Sequence, residues 1–180
     1  MKKRTLTKYR WFWAWQDEDE EQWLEEMSKQ GYHLSSLGML GFYHFTISEP
    51  KHYIYRLDYQ LFRKKDKGEY LQLFKDSGWE HIGEMSAWQY FRKEVANGEI
   101  PEIYTDVESK VAKYKRILTY LGAFYIAIIA ILSTHFVLNE TFTWWSRSSV
   151  PIILLVVLLF MTYAIARLLI RIRKLRKKII

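Results

Sequence analysis
A chain of 180 residues with 17% aromatics and no cysteine can form no disulfide, no thiolate nucleophile and no cysteine-ligated zinc site. Its net charge of +7 conceals two opposed regions: residues 1–110 carry 16 Lys+Arg against 19 Asp+Glu, and residues 111–180 carry 11 against 1. The basic excess therefore belongs to the flanks of apolar segments near the C-terminus, and it is no argument for direct nucleic-acid binding.

The N-terminal MKKRTLTKYRWFWAW is basic, but its apolar run of five residues is too short for the core of a cleavable signal peptide. Residues 9–15 read as a strand on aromatic density. Residues 17–30 read as a helix. Asp17 to Glu21 load the positive end of its dipole as a solvated start, Trp23, Leu24 and Met27 form the apolar stripe, and Gly31 supplies the stop. Strands follow around 32–37 and 41–47. Gly38-Met39-Leu40-Gly41 between them reads as a turn, since it lacks the lysine of a phosphate loop.

Residues 51–60 open a second round. His52, Ile54, Arg56, Asp58 and Gln60 alternate with Tyr53, Tyr55, Leu57 and Tyr59, the pattern of a half-buried strand. That alternation puts Arg56 and Asp58 on one face as an ion pair. A helix over 68–76 carries Tyr70, Leu71 and Phe74 and ends at Gly78; strands over 79–84 and 87–93 complete the round. Trp23-Leu24-x-x-Met27-x-x-x-Gly31 and Tyr70-Leu71-x-x-Phe74-x-x-x-Gly78 share one spacing. The expected fold is thus an α+β domain made of a duplicated β-α-β-β unit, an antiparallel sheet with two helices.

Residues 95–104 contain Gly98 and Pro101 and read as irregular. Thr105-Asp106-Val107-Glu108 has the spacing of a capping box, and nothing breaks a helix from there before Gly122. Residues 117–138 hold no charged side chain over 22 residues, and residues 150–166 none over 17. At about 1.5 Å rise per residue, segments of this length cross a hydrocarbon core of about 30 Å. Lys110, Lys113, Lys115 and Arg116 precede the first segment, and Arg167, Arg171, Arg173, Lys174, Arg176, Lys177 and Lys178 end or follow the second. The positive-inside rule then predicts cytoplasmic N- and C-termini in the cell membrane, with the 139–149 loop and its Trp144 and Trp145 outside. The organisation expected is a cytosolic domain over 1–97, a linker and juxtamembrane helix over 98–116, a transmembrane hairpin over 117–170 and a basic tail over 171–180. Arg171, Arg173, Lys174, Arg176, Lys177 and Lys178 of that tail suit a bilayer with anionic lipids.

Several blocks in the first 116 residues resemble a known family. They are Lys8-Tyr9-Arg10-Trp11-Phe12, Trp23-Leu24 with Gly31-Tyr32-His33-Leu34, Tyr53-Ile54-Tyr55-Arg56-Leu57-Asp58, Trp88-Gln89-Tyr90-Phe91-Arg92-Lys93 and Glu102-Ile103-Tyr104-Thr105-Asp106. The family is an uncharacterised one of Gram-positive bacterial membrane proteins, known as a domain of unknown function. It pairs an aromatic-rich cytosolic domain with C-terminal spans and is often encoded beside a PadR-like transcriptional regulator. The resemblance implies regulation or stress response at the membrane and carries no active site.

The residues themselves offer no catalytic, cofactor or metal site. His33, His44, His52 and His81 lack metal-ligand spacing, and His135 lies near the outer end of the first span. The acidic run at 17–21 lacks the glycine and spaced ligands of a calcium loop. Aromatics at this density in so small a domain are first of all core; as a binding platform, Trp11, Trp13, Trp15, Tyr53, Tyr55, Trp88 and Tyr90 are the candidate partner-binding aromatics on a face of the sheet. The function expected is a membrane-anchored, non-enzymatic sensor or regulator that binds a protein partner, first of all a PadR-like regulator. The alternative is an envelope-stress or immunity protein acting through its hairpin.

Overall fold
The computed structural model describes residues 4–62, 66–95, 100–138 and 150–177. Its elements are β1 (Thr5–Tyr9), α1 (Asp17–Lys29), β2 (Tyr32–Leu37), β3 (Phe42–Ile47), β4 (Tyr53–Tyr59), α2 (Lys67–Asp76), β5 (Glu80–Met85), β6 (Trp88–Glu94), α3 (Val107–Leu138) and α4 (Val150–Arg176). They divide into two units, residues 1–109 and 110–180.

The first unit holds two antiparallel three-stranded sheets of the same topology, β1-β3-β2 and β4-β6-β5. In each, a helix joins the first strand to the second, and the third strand lies in the middle. The correspondence extends to irregularities. Gly31 and Gly78 end the two helices in the left-handed region, at φ 86° and 79°. A bulge interrupts β2 between Leu34 and Ser36, and another interrupts β5 between His81 and Gly83. The β-α-β-β duplication is therefore present in the backbone.

Where one antiparallel sheet was expected, there are two. β2 and β5 approach side by side, and Arg92 Nη1 donates to the Leu34 carbonyl at 3.1 Å. Both are edge strands and both are bulged, which increases local twist and interrupts a ladder. Residues 9–15 also differ from expectation. β1 ends at Tyr9, opposite Phe42 at the start of β3. Aromatic propensity cannot extend a strand beyond its partner, and Arg10 N–H instead closes onto the Gly41 carbonyl at 2.9 Å.

Helix α1 lies in a core that both sheets line. Trp23, Leu24 and Met27 pack with Leu34, Tyr43 and Phe45 of the first sheet and with Tyr55, Leu57 and Tyr90 of the second. The neighbouring residues Ile54 and Phe91 point to the opposite face of the second sheet, as strand alternation requires. There they form another core with Trp79, and Tyr70, Leu71 and Phe74 of α2 cover it. The second sheet is thus covered on both faces, and β4 is buried through most of its length rather than half-buried.

In the second unit, α3 and α4 run antiparallel. Tyr125 Oη and Thr162 Oγ1 meet at 3.2 Å, and Arg171 Nε donates to Tyr114 Oη at 3.5 Å. Ile128 on one helix and Met161, Ala164 and Leu168 on the other are buried. The last three recur at the three- and four-residue steps of a helical seam. Both helices are long and apolar enough to cross a membrane over Val107–Thr134 and Ile152–Arg176, with mean hydropathies of 2.0 and 2.6. Only 11% and 17% of those apolar windows are buried, unlike the core helices of a soluble protein. The helix start is capped by Asp106, whose carboxylate accepts from Ser109 N–H at 2.6 Å and Ser109 Oγ at 2.8 Å, so the cap sits one residue after the expected Thr105.

Candidate functional site
The turn from β1 into α1 sorts its aromatics between core and solvent. Gln16 N–H donates to the Trp13 carbonyl at 2.8 Å and Trp13 N–H to Gln16 Oε1 at 3.1 Å, which folds the segment tightly ahead of the helix. Phe12 turns inward onto Trp23, with ring centroids 5.7 Å apart. Trp11 and Trp13 turn outward and stay 47% and 40% exposed. Their rings meet edge-on at 5.6 Å, and Trp15 stacks on Trp13 at 5.6 Å.

The β2–β3 turn adds a second apolar element beside this one. Met39 is 80% exposed and Leu40 68%. Leu40 is held at φ 55°, a conformation that costs a non-glycine residue roughly 1–2 kcal/mol. Gly41 makes the turn feasible: a Cβ there would lie 2.6 Å from the Arg10 carbonyl oxygen. Leu40 and Trp11 line one small cleft together with Phe12, Met85, Ser86 and Trp88. The hairpin tips of both repeats therefore meet at the aromatic segment, and the turn assigned to 38–41 is present.

Of the seven candidate aromatics, Trp11, Trp13 and Trp15 cluster in this segment and half-buried Trp88 lines the cleft. Half-buried Tyr53 lies elsewhere, under the Arg92 guanidinium at 4.8 Å and Lys51 Nζ at 5.7 Å. Tyr55 and Tyr90 are fully buried in the core, because the sheet face that carries them packs on α1. No partner reaches them. Sequence reasoning missed Met39 and Leu40, although two apolar residues between turn glycines are a readable sign of an exposed tip.

The acidic start of α1 is not solvated. Asp17, Glu20 and Glu21 are buried, since they lie on the broad face of the helix that both sheets line. Glu20 Oε1 accepts from Tyr43 Oη and Tyr90 Oη, both at 2.6 Å, and so joins the two sheets. Burial pushes its pKa up to about 7, the two tyrosine donors oppose that, and Asp17 adds to it. Glu21 accepts the Leu57 N–H of edge strand β4 at 2.8 Å.

Arg56 and Asp58 each gather partners from other elements. Arg56 meets Glu25 at 2.9 Å, Glu21 at 3.7 Å and Glu102 at 2.7 Å. Burial acts to lower its pKa, but the Glu102 hydrogen bond and the surrounding carboxylates outweigh that and raise it. Asp58 accepts from Tyr70 Oη at 2.8 Å and from Tyr104 Oη.

His33, His44 and His81 are tied into the fold. His33 bonds Ser28 Oγ at 2.7 Å and the Glu49 carbonyl at 2.9 Å, His44 bonds Thr7 Oγ1 at 2.9 Å, and His81 bonds Gln89 Oε1 at 3.0 Å. Burial lowers the His81 pKa. Among the described residues no group of three or more His, Asp or Glu could hold a metal. In α4, Ile172 and Leu175 are buried, while Arg173, Lys174 and Arg176 are exposed, as is Lys177 just beyond it; Arg171 is intermediate. Lys178 and the 139–149 loop with its tryptophans lie outside the described residues, as does the His135 side chain.

The model of the family described as "Protein of unknown function (DUF2812)" matches residues 16–126. The chain belongs to this family. Its matched region runs from the cap of α1 into the middle of α3, and so joins the two-sheet unit to the first long helix. No curated protein and no solved structure matches the chain.

Proposed function
We propose that this DUF2812 protein is a membrane-anchored, non-enzymatic regulator whose first unit holds a cytosolic protein partner on Trp11, Trp13, Met39 and Leu40. The observation that supports this reading is the exposure of these four large apolar side chains on two adjoining turns, one of them in a strained backbone conformation. Exposed tryptophans beside a cleft are the composition of interface hot spots, whereas isolated exposed leucines are ordinary. The long apolar helices serve as the anchor. Basic residues on both flanks put both termini in the cytoplasm, and the exposed cations at the end of α4 attract anionic lipids at about 1 kcal/mol each.

The first partner to test is a PadR-like transcriptional regulator, held away from DNA at the membrane. Full-length chain in lipid nanodiscs, titrated with that regulator and followed by tryptophan fluorescence and DNA competition, should bind in the micromolar range. That corresponds to roughly −8 kcal/mol. Trp11→Ala with Leu40→Ser should weaken binding at least tenfold. No association at tens of micromolar, with the nanodisc-held chain folded, would overturn the regulator reading and turn attention to the hairpin as the acting part. Reporters fused after Ile180 and inserted near Thr143 test the orientation, the first reading cytoplasmic and the second external.

A further inference from the structure
The segment leading into α3 is fastened to β4 by three consecutive side chains. Glu102 reaches Arg56 Nη2 at 2.7 Å, Ile103 packs against the core of Ile54, Trp79 and Phe91, and Tyr104 Oη donates to Asp58. Two residues after Tyr104, Asp106 caps the helix that continues unbroken to Leu138. The attachment points on β4 are alternate residues of one strand face, so the segment lies along the strand like a strap.

The partners left behind decide whether such a strap can come off. A contact that is the sole partner of a buried charge cannot leave without stranding that charge in a medium of low dielectric. Here both β4 residues have a second source. Without Glu102, Arg56 keeps Glu25 at 2.9 Å and Glu21 at 3.7 Å. Without Tyr104, Asp58 keeps Tyr70 Oη at 2.8 Å. Glu102 itself is about half exposed, at 47% of its side chain, and returns readily to water. The buried Nε of Arg56 has no acceptor among the described residues, so the cluster is not arranged for greatest stability.

We propose that Glu102-Ile103-Tyr104 is a releasable strap, and that its docking on Arg56 and Asp58 couples the two-sheet unit to the first turns of α3. Because Glu21 and Glu25 belong to α1 and Tyr70 to α2, a movement of either helix against β4 changes how firmly the strap is held. The strap is a property of the chain alone and does not depend on the partner proposed above.

Hydrogen exchange of the full chain in nanodiscs tests this, comparing the wild type with Glu102→Ala/Tyr104→Phe. The amides of residues 102–106 and of the first two turns of α3 should exchange at least tenfold faster, with α1, β4 and β6 within twofold of wild type. Equal loss of protection in α1 and β4 would show a structural part of the core rather than a strap. Faster exchange confined to 102–106 would refute the coupling, and no change at all would refute the docking. Arg56→Lys serves as the second variant. It keeps a cation for α1 while loosening the two-pronged grip on Glu25 and Glu102, and should reproduce the strap effect with the core intact.

Discussion
The two repeats of the first unit share topology, helix-ending glycines and bulges, yet their helices are in opposite situations. Asp17, Glu20, Glu21, Trp23, Leu24, Met27 and Ser28 are all buried in α1, whereas α2 has no buried residue. The apolar stripes are equivalent. What differs is the breadth of the covered face: both sheets meet one broad face of α1, leaving Asp19, Gln22, Glu26 and Lys29 exposed, whereas α2 packs only by its stripe on the second sheet. A repeated sequence therefore specifies a repeated local fold, and the stacking of one copy on the other decides which polar residues become core.

That contrast can be broken most strongly at Arg56. At the same register position of β1 stands Leu6, opposite Phe45 as Arg56 is opposite Phe91. Arg56→Ala leaves the Glu21 and Glu25 carboxylates in the interior without their cation, at an expected cost of about 3–5 kcal/mol. Leu6→Ala removes a partly buried apolar side chain and should cost about 1 kcal/mol. Urea unfolding of the nanodisc-held chain, followed by tryptophan fluorescence, measures both. Comparable losses would mean that the acidic face of α1 does not depend on Arg56.

The helix stripes provide the next test. Leu24 is fully buried and Leu71 only half-buried. Leu24→Ala should cost about 3 kcal/mol, and Leu71→Ala about 1 kcal/mol, because a surface site collapses around the missing atoms more easily. Equal effects in the same unfolding measurement would contradict the asymmetry of the two helices.

Much of this was legible in the sequence, and the rest fails for identifiable reasons. The spacing of Trp23, Leu24, Met27 and Gly31 against Tyr70, Leu71, Phe74 and Gly78 revealed the repeat, because a helical stripe and its glycine stop are local properties. Alternation in residues 53–59 correctly separated Tyr55 and Leu57 from Arg56 and Asp58. It could not show that both faces are covered, since that depends on α1 and α2 together. The same limit explains the acidic start of α1, which reads as a solvated face until a second sheet lies on it. Aromatic density in 9–15 marked the candidate surface, but in-or-out within it follows from the backbone turn at Trp13–Gln16. Tyr55 and Tyr90 belong to the core, and strand alternation alone does not tell a core face from a partner-binding one.

Glu20 and Lys67 occupy equivalent places in the two helices and sharpen the comparison through pH. The folded pKa of Glu20, about 7, lies above the ordinary value of 4.5. The folded state therefore holds a proton that the unfolded chain releases between these values, and the associated stability is complete below about pH 4.5 and lost as pH rises through 7. Converted at about 1.4 kcal/mol per unit, the effect is on the order of 3 kcal/mol. Glu20→Gln should flatten the stability profile across that window, with the largest relative gain above pH 7. Lys67 pairs with Glu84 at 2.8 Å on the surface, and Lys67→Ala should change stability by less than about 1 kcal/mol. A wild-type profile already flat between pH 5 and 8 would show that Glu20 is ionised in the folded protein.

The smallest contrast within a pair is expected at the two glycine stops, where local geometry is the same and surroundings again differ. Both residues sit near φ 80°, so an alanine at either position takes on the left-handed penalty of about 1 kcal/mol. At Gly31 the added Cβ would also lie 2.5 Å from the carbonyl oxygen of Ser48, a residue whose backbone N–H donates to the Gly31 carbonyl at 3.0 Å. At Gly78 it would meet only the end of the Lys93 side chain at 3.4 Å, which can swing away. Gly31→Ala should therefore cost about 2–3 kcal/mol, the penalty plus a backbone adjustment, and Gly78→Ala about 1 kcal/mol. Gly31→Asn, which tolerates the left-handed region but keeps the clash, separates the two contributions. If it restores stability fully, crowding at Ser48 is negligible and the first repeat is no tighter at its helix stop than the second. If it restores only part, the crowding around α1 extends from its buried carboxylates to the turn that ends it.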